Sequence, residues 1–299
     1  MKNYIKPFLF ISLIGLLMCN ISSAFAQLNP LGMQYFNNQY LGNPAMAGLN
    51  EGLDVKLGLR QQWSRIEGAP STQSVTAEYR IKKAAFALNL YSDAAGLLKR
   101  TRAAGTYAYH LPLNDGDHQL HFGVSLAVMF ERFKQDELDG DPNDVSIRYT
   151  RRENYIDGDF GMAYTMGGFT LQGAVPNLQQ FINEDKNFQG VDRSVFLFAA
   201  SYRWTFGDPS SSTSLHPKVT YRGVKGHDNL VDVGFNLGLV NDKVGIMAMY
   251  HSSKSATFGL QSVYRSITFS GMYTTETAAL RSYTNGDFQL ALGYRFTNK

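Results

Sequence analysis

The sequence predicts an all-β protein: a single transmembrane antiparallel β-barrel of about fourteen strands that follows a cleaved signal peptide. Three observations predict this fold: an export signal at the N-terminus, a period-two alternation of apolar and polar residues, and a last strand of alternating apolar side chains. We expect a signal peptide at 1–26, an N-terminal segment at 27–52 that is a candidate plug or strap, and the barrel at 53–299.

The N-terminus has the pattern of a secretory signal peptide. Lys2 and Lys6 form a short basic region, residues 8–18 are nearly all apolar, and Ala24-Phe25-Ala26 is a suitable cleavage site. The apolar run is shorter than the roughly 20 residues that a membrane-spanning helix needs. We therefore expect that export removes residues 1–26.

The single cysteine raises an alternative. Leu16-Leu17-Met18-Cys19 resembles the lipobox of a lipoprotein, but Met18 stands where a small residue is expected. Cleavage after Ala26 would remove Cys19 and leave no thiol for a disulfide, a metal site or a nucleophile.

The composition indicates a membrane barrel more than a nucleic-acid binder. The chain has 28 basic and 25 acidic residues, and without Lys2 and Lys6 the balance is 26 against 25. An aromatic content of 13%, 28 glycines and a mean hydropathy of −0.23 fit an apolar lipid-facing band around a polar lumen. A soluble β-sandwich could have a similar composition, so the residue pattern has to separate the two.

The residue pattern has period two. Between 230 and 239, one face would carry Val231, Val233, Phe235, Leu237 and Leu239. Successive side chains of a strand point to opposite faces, so the other face would carry only polar residues and glycine. Small and polar inward residues favour a barrel interior over the packed core of a sandwich.

The same pattern defines the strands and their connections. Tight turns are predicted at 82–83, 166–168, 241–242 and 264–265, and longer loops at 133–153, 176–193 and 207–214. Tight turns at one end and long loops at the other are typical of outer-membrane barrels. The predicted strands are 53–63, 72–82, 84–92, 101–111, 118–132, 154–165, 167–175, 194–206, 215–222, 230–240, 243–252, 255–263, 265–274 and 286–296.

The last strand is a candidate barrel-assembly signal. Only three residues follow it, and a terminal strand of this kind resembles the recognition signal of outer-membrane insertion machinery. A closing strand of a soluble barrel is the alternative. Its alternating large side chains are Phe288, Leu290, Leu292, Tyr294 and Phe296.

The sequence predicts no catalytic, cofactor or metal site. His118 and His121 would lie on opposite faces of a strand, which disfavours a shared metal ion. The acidic residues between 136 and 144 lack the spacing of a calcium loop and indicate a solvated loop. No hydrolase or phosphate-binding motif is present, so we expect a protein that is not an enzyme.

Three stretches of the chain, at 34–48, 60–72 and 273–296, resemble the PorP/SprF family of type IX secretion system membrane proteins. Asp93 and Gly96 lie between the second and third stretches in the order expected of the family. The resemblance covers most of the chain after residue 26. The candidate site residues in the first two stretches are Gln34, Tyr35, Asn43, Pro44, Ala45, Gly48, Arg60, Trp63, Gly68, Pro70 and Thr72.

The role of residues 34–48 stays open between a strap that only leads into the first strand and a plug packed inside the barrel or presented to a partner. Asp54, Lys56, Arg60 and Gln62 would share the inward face of that strand. They could hold the segment through charge-assisted hydrogen bonds or simply line a wet interior.

The resemblance implies a component of type IX secretion in the outer membrane of a Gram-negative bacterium. It implies partners of two kinds: a secreted, adhesin-like cargo protein with a C-terminal sorting domain, and periplasmic subunits of the secretion machinery. We therefore expect a barrel that binds or anchors such a protein at the cell surface, in a pathway tied to gliding motility. The alternatives are a passive porin or hydrophobic-compound channel, and a soluble periplasmic β-protein.

Overall fold

The computed structural model describes residues 31–32, 35–64, 66–113, 117–133, 154–179, 194–224, 229–275 and 285–296. The predictions for 1–26, for Gln34, for the acidic residues at 136–144 and for most of the two longest loops lie outside these residues.

Within the described residues, fifteen strand segments form one sheet. The first eight are β1 Gly52–Gln62, β2 Ser71–Ile81, β3 Ala84–Ala95, β4 Leu98–Leu113, β5 His118–Phe133, β6 Asn154–Met166, β7 Phe169–Val175 and β8 Ser194–Tyr202. The remaining seven are β9 Trp204–Phe206, β10 Thr213–Val224, β11 Leu230–Leu239, β12 Val244–His251, β13 Ser255–Tyr264, β14 Ile267–Thr274 and β15 Asp287–Phe296.

The sheet closes into a barrel because the first and last strands pair. β1 pairs with β15 in antiparallel register from Leu53↔Phe296 to Gln62↔Asp287. The other pairings join strands that follow each other along the chain, with β8 and β9 both pairing with β10. β8 and β9 face the same strand, β10, in one continuous register and so form a single strand of the wall. The predicted barrel of fourteen antiparallel strands is confirmed.

One predicted strand, 194–206, is interrupted, and Pro217 explains why. The ladder between β8 and β10 stops at Ser201↔Lys218 and resumes at Trp204↔Leu215. Pro217 lies within this gap and has no N–H to donate to the ladder. On the other side of this strand, toward β7, the pairing continues, and the N–H of Arg203 donates to Gly168 O at 2.8 Å.

The two faces of the barrel wall differ in chemistry. The outward face carries large apolar side chains along every long strand, and the exposed fraction is 66% at Leu126 and Leu260 and 67% at Tyr264. The predicted assembly residues belong to it, with Phe288, Leu290, Leu292, Tyr294 and Phe296 all between 43% and 51% exposed. An apolar surface that encircles the protein needs a lipid environment rather than water.

The two ends of the barrel also differ. At one end, here called the turn end, consecutive strands are joined by short connections such as 82–83, 167–168 and 265–266. The opposite end, here called the loop end, includes the connections 63–70, 134–153 and 176–193. Outer-membrane barrels have short periplasmic turns and longer extracellular loops, so the loop end faces outward from the cell.

No helix in the described part of the chain is long and apolar enough to cross a membrane.

Candidate functional site

Residues 35–49, here called the lumen segment, lie against the inward face of the wall. The segment contains two 3₁₀ helices, η1 Gln39–Leu41 and η2 Pro44–Met46. It begins beside Asp232 and His251 near the loop end and reaches Glu78 and Arg80 near the turn end. The segment therefore runs through most of the height of the barrel.

Tyr35 anchors the segment near the loop end. Its hydroxyl donates to Asp232 Oδ2 at 2.7 Å and lies 3.3 Å from His251 Nδ1. Asp232 also accepts from Arg222 Nε at 3.3 Å, and all four side chains are buried. Burial, and next the charge of Asp232, raise the pKa of Tyr35 well above its usual range, so the hydroxyl keeps its proton and donates.

Lys218 holds the next turn of the segment. Its buried ammonium donates to the backbone oxygen of Tyr35 at 2.6 Å and to Gln39 Oε1 at 2.9 Å. Gln172 Nε2 donates to the same Gln39 oxygen at 2.6 Å, and the ring of Phe36 lies 5.7 Å from Lys218 Nζ. A buried ammonium needs such acceptors, because burying an unpaired charge is costly.

The sequence Asn43-Pro44-Ala45, here called the Asn-Pro-Ala motif, fits a hollow that two glycines create. Gly123 of β5 and Gly161 of β6 are cross-strand partners on the inward face. A Cβ atom on Gly123 would lie 2.2 Å from Pro44 C, and one on Gly161 would lie 2.0 Å from Asn43 Oδ1. Only glycine therefore leaves room for residues 43–45 at these two positions.

Asn43 fixes the conformation of the motif inside this hollow. Its Oδ1 accepts from the Ala45 N–H at 2.9 Å and caps η2, where Pro44 needs no hydrogen-bond acceptor. Its Nδ2 donates to Met162 O at 3.2 Å. The motif is thus both a helix start and a contact with the wall.

Two further side chains of the lumen segment bind strands β2 and β4. Asn38 Nδ2 donates to Thr76 Oγ1 at 2.9 Å, and the Tyr40 hydroxyl lies 2.7 Å from Thr106 Oγ1. Thr106 is in turn 2.7 Å from Ser125 Oγ. Burial is the main cause that raises the pKa of Tyr40 to about 12, so this hydroxyl also stays protonated.

Near the turn end, charged wall residues bind the backbone of the segment. Glu78 accepts from the Gly48 N–H at 2.9 Å and from Lys56 Nζ at 2.7 Å, and Arg80 donates to Leu49 O at 3.2 Å. Gly48 has φ +66°, and a Cβ there would lie 2.4 Å from Ala85 Cβ. The residue that leads the chain toward β1 is therefore restricted to glycine.

A pair of buried histidines lies at the same height. His110 Nε2 is 3.0 Å from Ala47 O, and His110 Nδ1 is 2.6 Å from His121 Nδ1. His118 bonds to the Tyr164 hydroxyl at 2.5 Å, away from this pair. Within the described ranges, no group of three or more histidine, cysteine or acidic residues is placed to hold a metal ion.

The other predicted site residues lie at the loop end of β1 to β4. The Gly96 N–H donates to Gly68 O at 2.8 Å, and both glycines have positive φ, +56° and +71°. Thr72 Oγ1 donates to Asp93 Oδ1 at 2.8 Å. The first bond connects the β1–β2 loop to the β3–β4 turn, and the second joins the cross-strand partners of β2 and β3 next to it.

The seam between β1 and β15 is held at the same level. Arg60 Nε donates to Asp287 Oδ2 at 2.7 Å, and the Trp63 N–H donates to Gly286 O at 2.9 Å. Pro70 O accepts from the Gln62 N–H at 2.9 Å. The predicted residues thus form two groups, one in the lumen segment and one at this corner.

The start of the second long loop turns toward the lumen. Asp159 accepts from the Asn177 N–H at 3.1 Å, and Asp157 accepts from the Gln179 N–H at 3.0 Å. Asp159 is itself paired with Arg102 at 2.5 Å. Residues 176–179 therefore contact inward-facing carboxylates instead of extending the wall.

The wall residues that receive the lumen segment were missed by sequence reasoning. Asp232, His251 and Lys218 are single polar residues on inward faces that also carry glycine, other polar residues and, in β12, methionine. Gly123 and Gly161 are two of 28 glycines. The pattern places them on the inward face, but it does not indicate what they contact.

A comparison with protein families identifies the class of protein. The family model described as type IX secretion system membrane protein PorP/SprF matches residues 24–294. A search of curated proteins finds no sequence that matches this chain.

Solved structures of other barrels are similar in fold only. The outer membrane protein Omp33 of Acinetobacter baumannii is 9% identical, with 83% of this chain and 100% of that chain covered and a TM-score of 0.49. The toluene transporter TbuX of Ralstonia pickettii is 13% identical, with 87% and 94% covered and a TM-score of 0.47. Similarity at this level carries no information about function.

Proposed function

Because this chain belongs to the PorP/SprF family of type IX secretion system membrane proteins, we propose that it binds or anchors a partner protein at the outer membrane. The partner is a secreted, adhesin-like cargo with a C-terminal sorting domain, or a subunit of the secretion machinery. We also propose that export removes residues 1–26 and that 27–52 is a segment distinct from the barrel.

The occupied lumen is the observation that carries this proposal. A transporter needs a continuous path through its barrel, whereas an anchor can be closed. The lumen segment contacts the wall on both sides, at Asp232 near the loop end and at Glu78 near the turn end. A segment fixed in this way supports anchoring over free passage of solutes.

The loop end is the surface that we assign to the partner. The long loops at 133–153 and 176–193 are at this end and are the longest connections without a strand pattern. Binding residues are often on loops that a rigid scaffold positions. At the start of the second loop, the backbone N–H groups of Asn177 and Gln179 bind Asp159 and Asp157.

A passive channel is the second candidate, and the chemistry of the wall favours it if the segment can leave. The inward face carries Lys218, Arg222 and Asp232, all buried beneath the segment. Such charged groups would line a water-filled path once the segment is withdrawn.

The two candidates predict different results for a gene deletion and for the purified protein. If the protein is an anchor, deletion should leave most secretion intact but retain one or a few surface proteins inside the cell. Tagged protein should then co-purify with the sorting domain of that cargo. Deleting part of 134–150 should reduce the amount of cargo that co-purifies, without changing the difference in gel migration between the unheated and the boiled barrel.

Conductance provides the opposing test. In a planar bilayer, we expect no steady current from the intact protein and a steady current from a variant that lacks residues 35–47. An intact protein that conducts steadily and captures no cargo would contradict anchoring and identify a channel.

A further inference from the structure

A pair of like charges lies on the outward face of the wall. Lys99 of β4 and Arg132 of β5 are direct cross-strand partners, and both are exposed. The adjacent inward rung joins opposite charges, with Arg100 Nε 2.8 Å from Glu131 Oε1. Like charges directly opposite each other destabilise a sheet unless an anion neutralises them.

Neither Lys99 nor Arg132 has an ion pair or hydrogen bond to another residue in the part of the chain that the structure describes. The outward residues next to the pair are uncharged. Ala94 of β3 is the cross-strand partner of Lys99, and Thr101 and Phe130 form the next outward pair toward the membrane. The compensating anion is therefore expected from outside the described wall.

The pair lies at the level of lipid headgroups. The outward apolar residues of β5 run from Leu120 to Phe130, and Arg132 is the next outward residue toward the loop end. Ten residue steps of about 3.3 Å along a strand tilted by about 40° span roughly 25 Å, which is the height of the lipid-facing band of such barrels. Lys99 and Arg132 thus lie just beyond the hydrocarbon, on the extracellular side.

A furrow in the apolar surface leads from this pair into the hydrocarbon. Along β4 the outward residues below Lys99 are Thr101, Ala103 and Gly105, and a Cβ added to Gly105 would meet no atom within 4 Å. Leu88 on β3 and Leu126 on β5 flank Gly105 and are 64% and 66% exposed. With neighbouring strands about 4.8 Å apart, the two leucines bound a furrow about 10 Å wide.

We propose that this part of the outer wall binds a phosphate-bearing lipid of the outer leaflet. The phosphate lies between Lys99 and Arg132, because both side chains donate strong hydrogen bonds to phosphate oxygens. One acyl chain lies in the furrow over Ala103 and Gly105. A soluble phosphate would use only the cations and would gain nothing from the furrow.

Binding of lipid A to the full-length protein in detergent tests the proposal. Mass spectrometry of the intact complex should show that Lys99→Gln with Arg132→Gln weakens binding roughly tenfold, since two charge-assisted contacts are lost. Gly105→Leu should also weaken binding, because it fills the furrow while leaving both charges in place. Lys82→Gln with Lys83→Gln removes the same charge at the turn end and should leave the affinity unchanged.

Three results would overturn the proposal. Dephosphorylated lipid A binding the unaltered protein as tightly as lipid A would remove the role of the phosphate. Equal affinity of the Lys99/Arg132 variant and the unaltered protein would place the lipid elsewhere. Inorganic phosphate that displaces lipid A at equal concentration would identify a site for free phosphate instead of lipid.

Discussion

The outer and inner faces of this barrel are built from the same strands but specify structure in different ways. Outward positions are filled by almost any large apolar residue, as the mixture of leucine, valine, phenylalanine and tyrosine shows. Inward positions that receive the lumen segment depend on one residue each. Gly123 is required by the backbone of Pro44, and Asp232 accepts bonds from three different side chains.

The difference follows from the partner of each face. Bulk lipid is fluid and apolar, so over most of the outer face it selects for hydrophobicity and tolerates many side-chain shapes. A folded peptide segment has fixed donors and acceptors, so each buried wall group must match one of them or remain unsatisfied. We therefore expect that stability depends, at outward positions, on whether the new residue is apolar or charged. At inward positions we expect it to depend on which particular residue is present.

The largest effect is expected where the inner face holds a buried charge. Asp232→Asn keeps the shape of the side chain but leaves Arg222, which is 3% exposed, without its counter-ion. Removing one partner of a buried ion pair costs about 3–5 kcal/mol. Urea unfolding followed by tryptophan fluorescence should show this loss in the free energy of unfolding.

Asp242→Asn is the matched control for that change. Asp242 pairs with Arg203 at the turn end, where the two side chains are 43% and 46% exposed, so we expect a loss of about 0–1 kcal/mol. Equal losses for the two variants would show that the buried network contributes no more than a surface pair.

A charge on the outer face should have the next largest effect. Leu290→Arg puts a cation among lipid chains, which costs about 2–4 kcal/mol near the midplane. Gln289→Glu puts a charge on the lumen face opposite Arg60 and should cost much less. The temperature at which the folded gel band converts to the unfolded band measures both. Equal damage would mean that the register is displaced by one residue, because such a shift exchanges the two faces.

The smallest effect is expected from filling the hollow. Gly123→Val should displace residues 43–45 and destabilise the protein by about 1–3 kcal/mol, as overpacking does. Limited proteolysis should cut within residues 35–49 faster than in the unaltered protein. Gly105→Val, on the outward face of the next strand, meets no atom and should change neither quantity.

Most of the wall could be predicted because the two faces of each strand have opposite chemistry. The boundaries of β5 and β11 agree with the predicted 118–132 and 230–240 to within one residue. The interruption between Tyr202 and Trp204 could not be predicted from alternation, since it depends on Pro217, which lies opposite Tyr202 on the neighbouring strand. The candidate site residues Gly68 and Gly96 adopt left-handed conformations, but their mutual hydrogen bond could not be predicted without the strand register.

The contacts of the lumen segment were beyond sequence reasoning for a physical reason. Tyr35 and Asp232 are separated by 197 positions, and nothing local marks either of them as half of a pair. The sequence pattern offers the inward charges of the first strand as partners of the segment. In the structure Lys56 bonds to Glu78, and it is Glu78 and Arg80 of the second strand that hold the segment.

The closure of the barrel by its first and last strands determines the order in which the chain can assemble. All pairings except β1–β15 join strands that are neighbours in the chain, so a growing series of hairpins can form from either end. The β1–β15 seam must wait until residues 287–296 are available, which makes it the long-range, slow step of folding. Since residues 35–49 precede β1 and lie within the wall, the hairpins curl around them, and closing the seam encloses the chain's own N-terminal stretch.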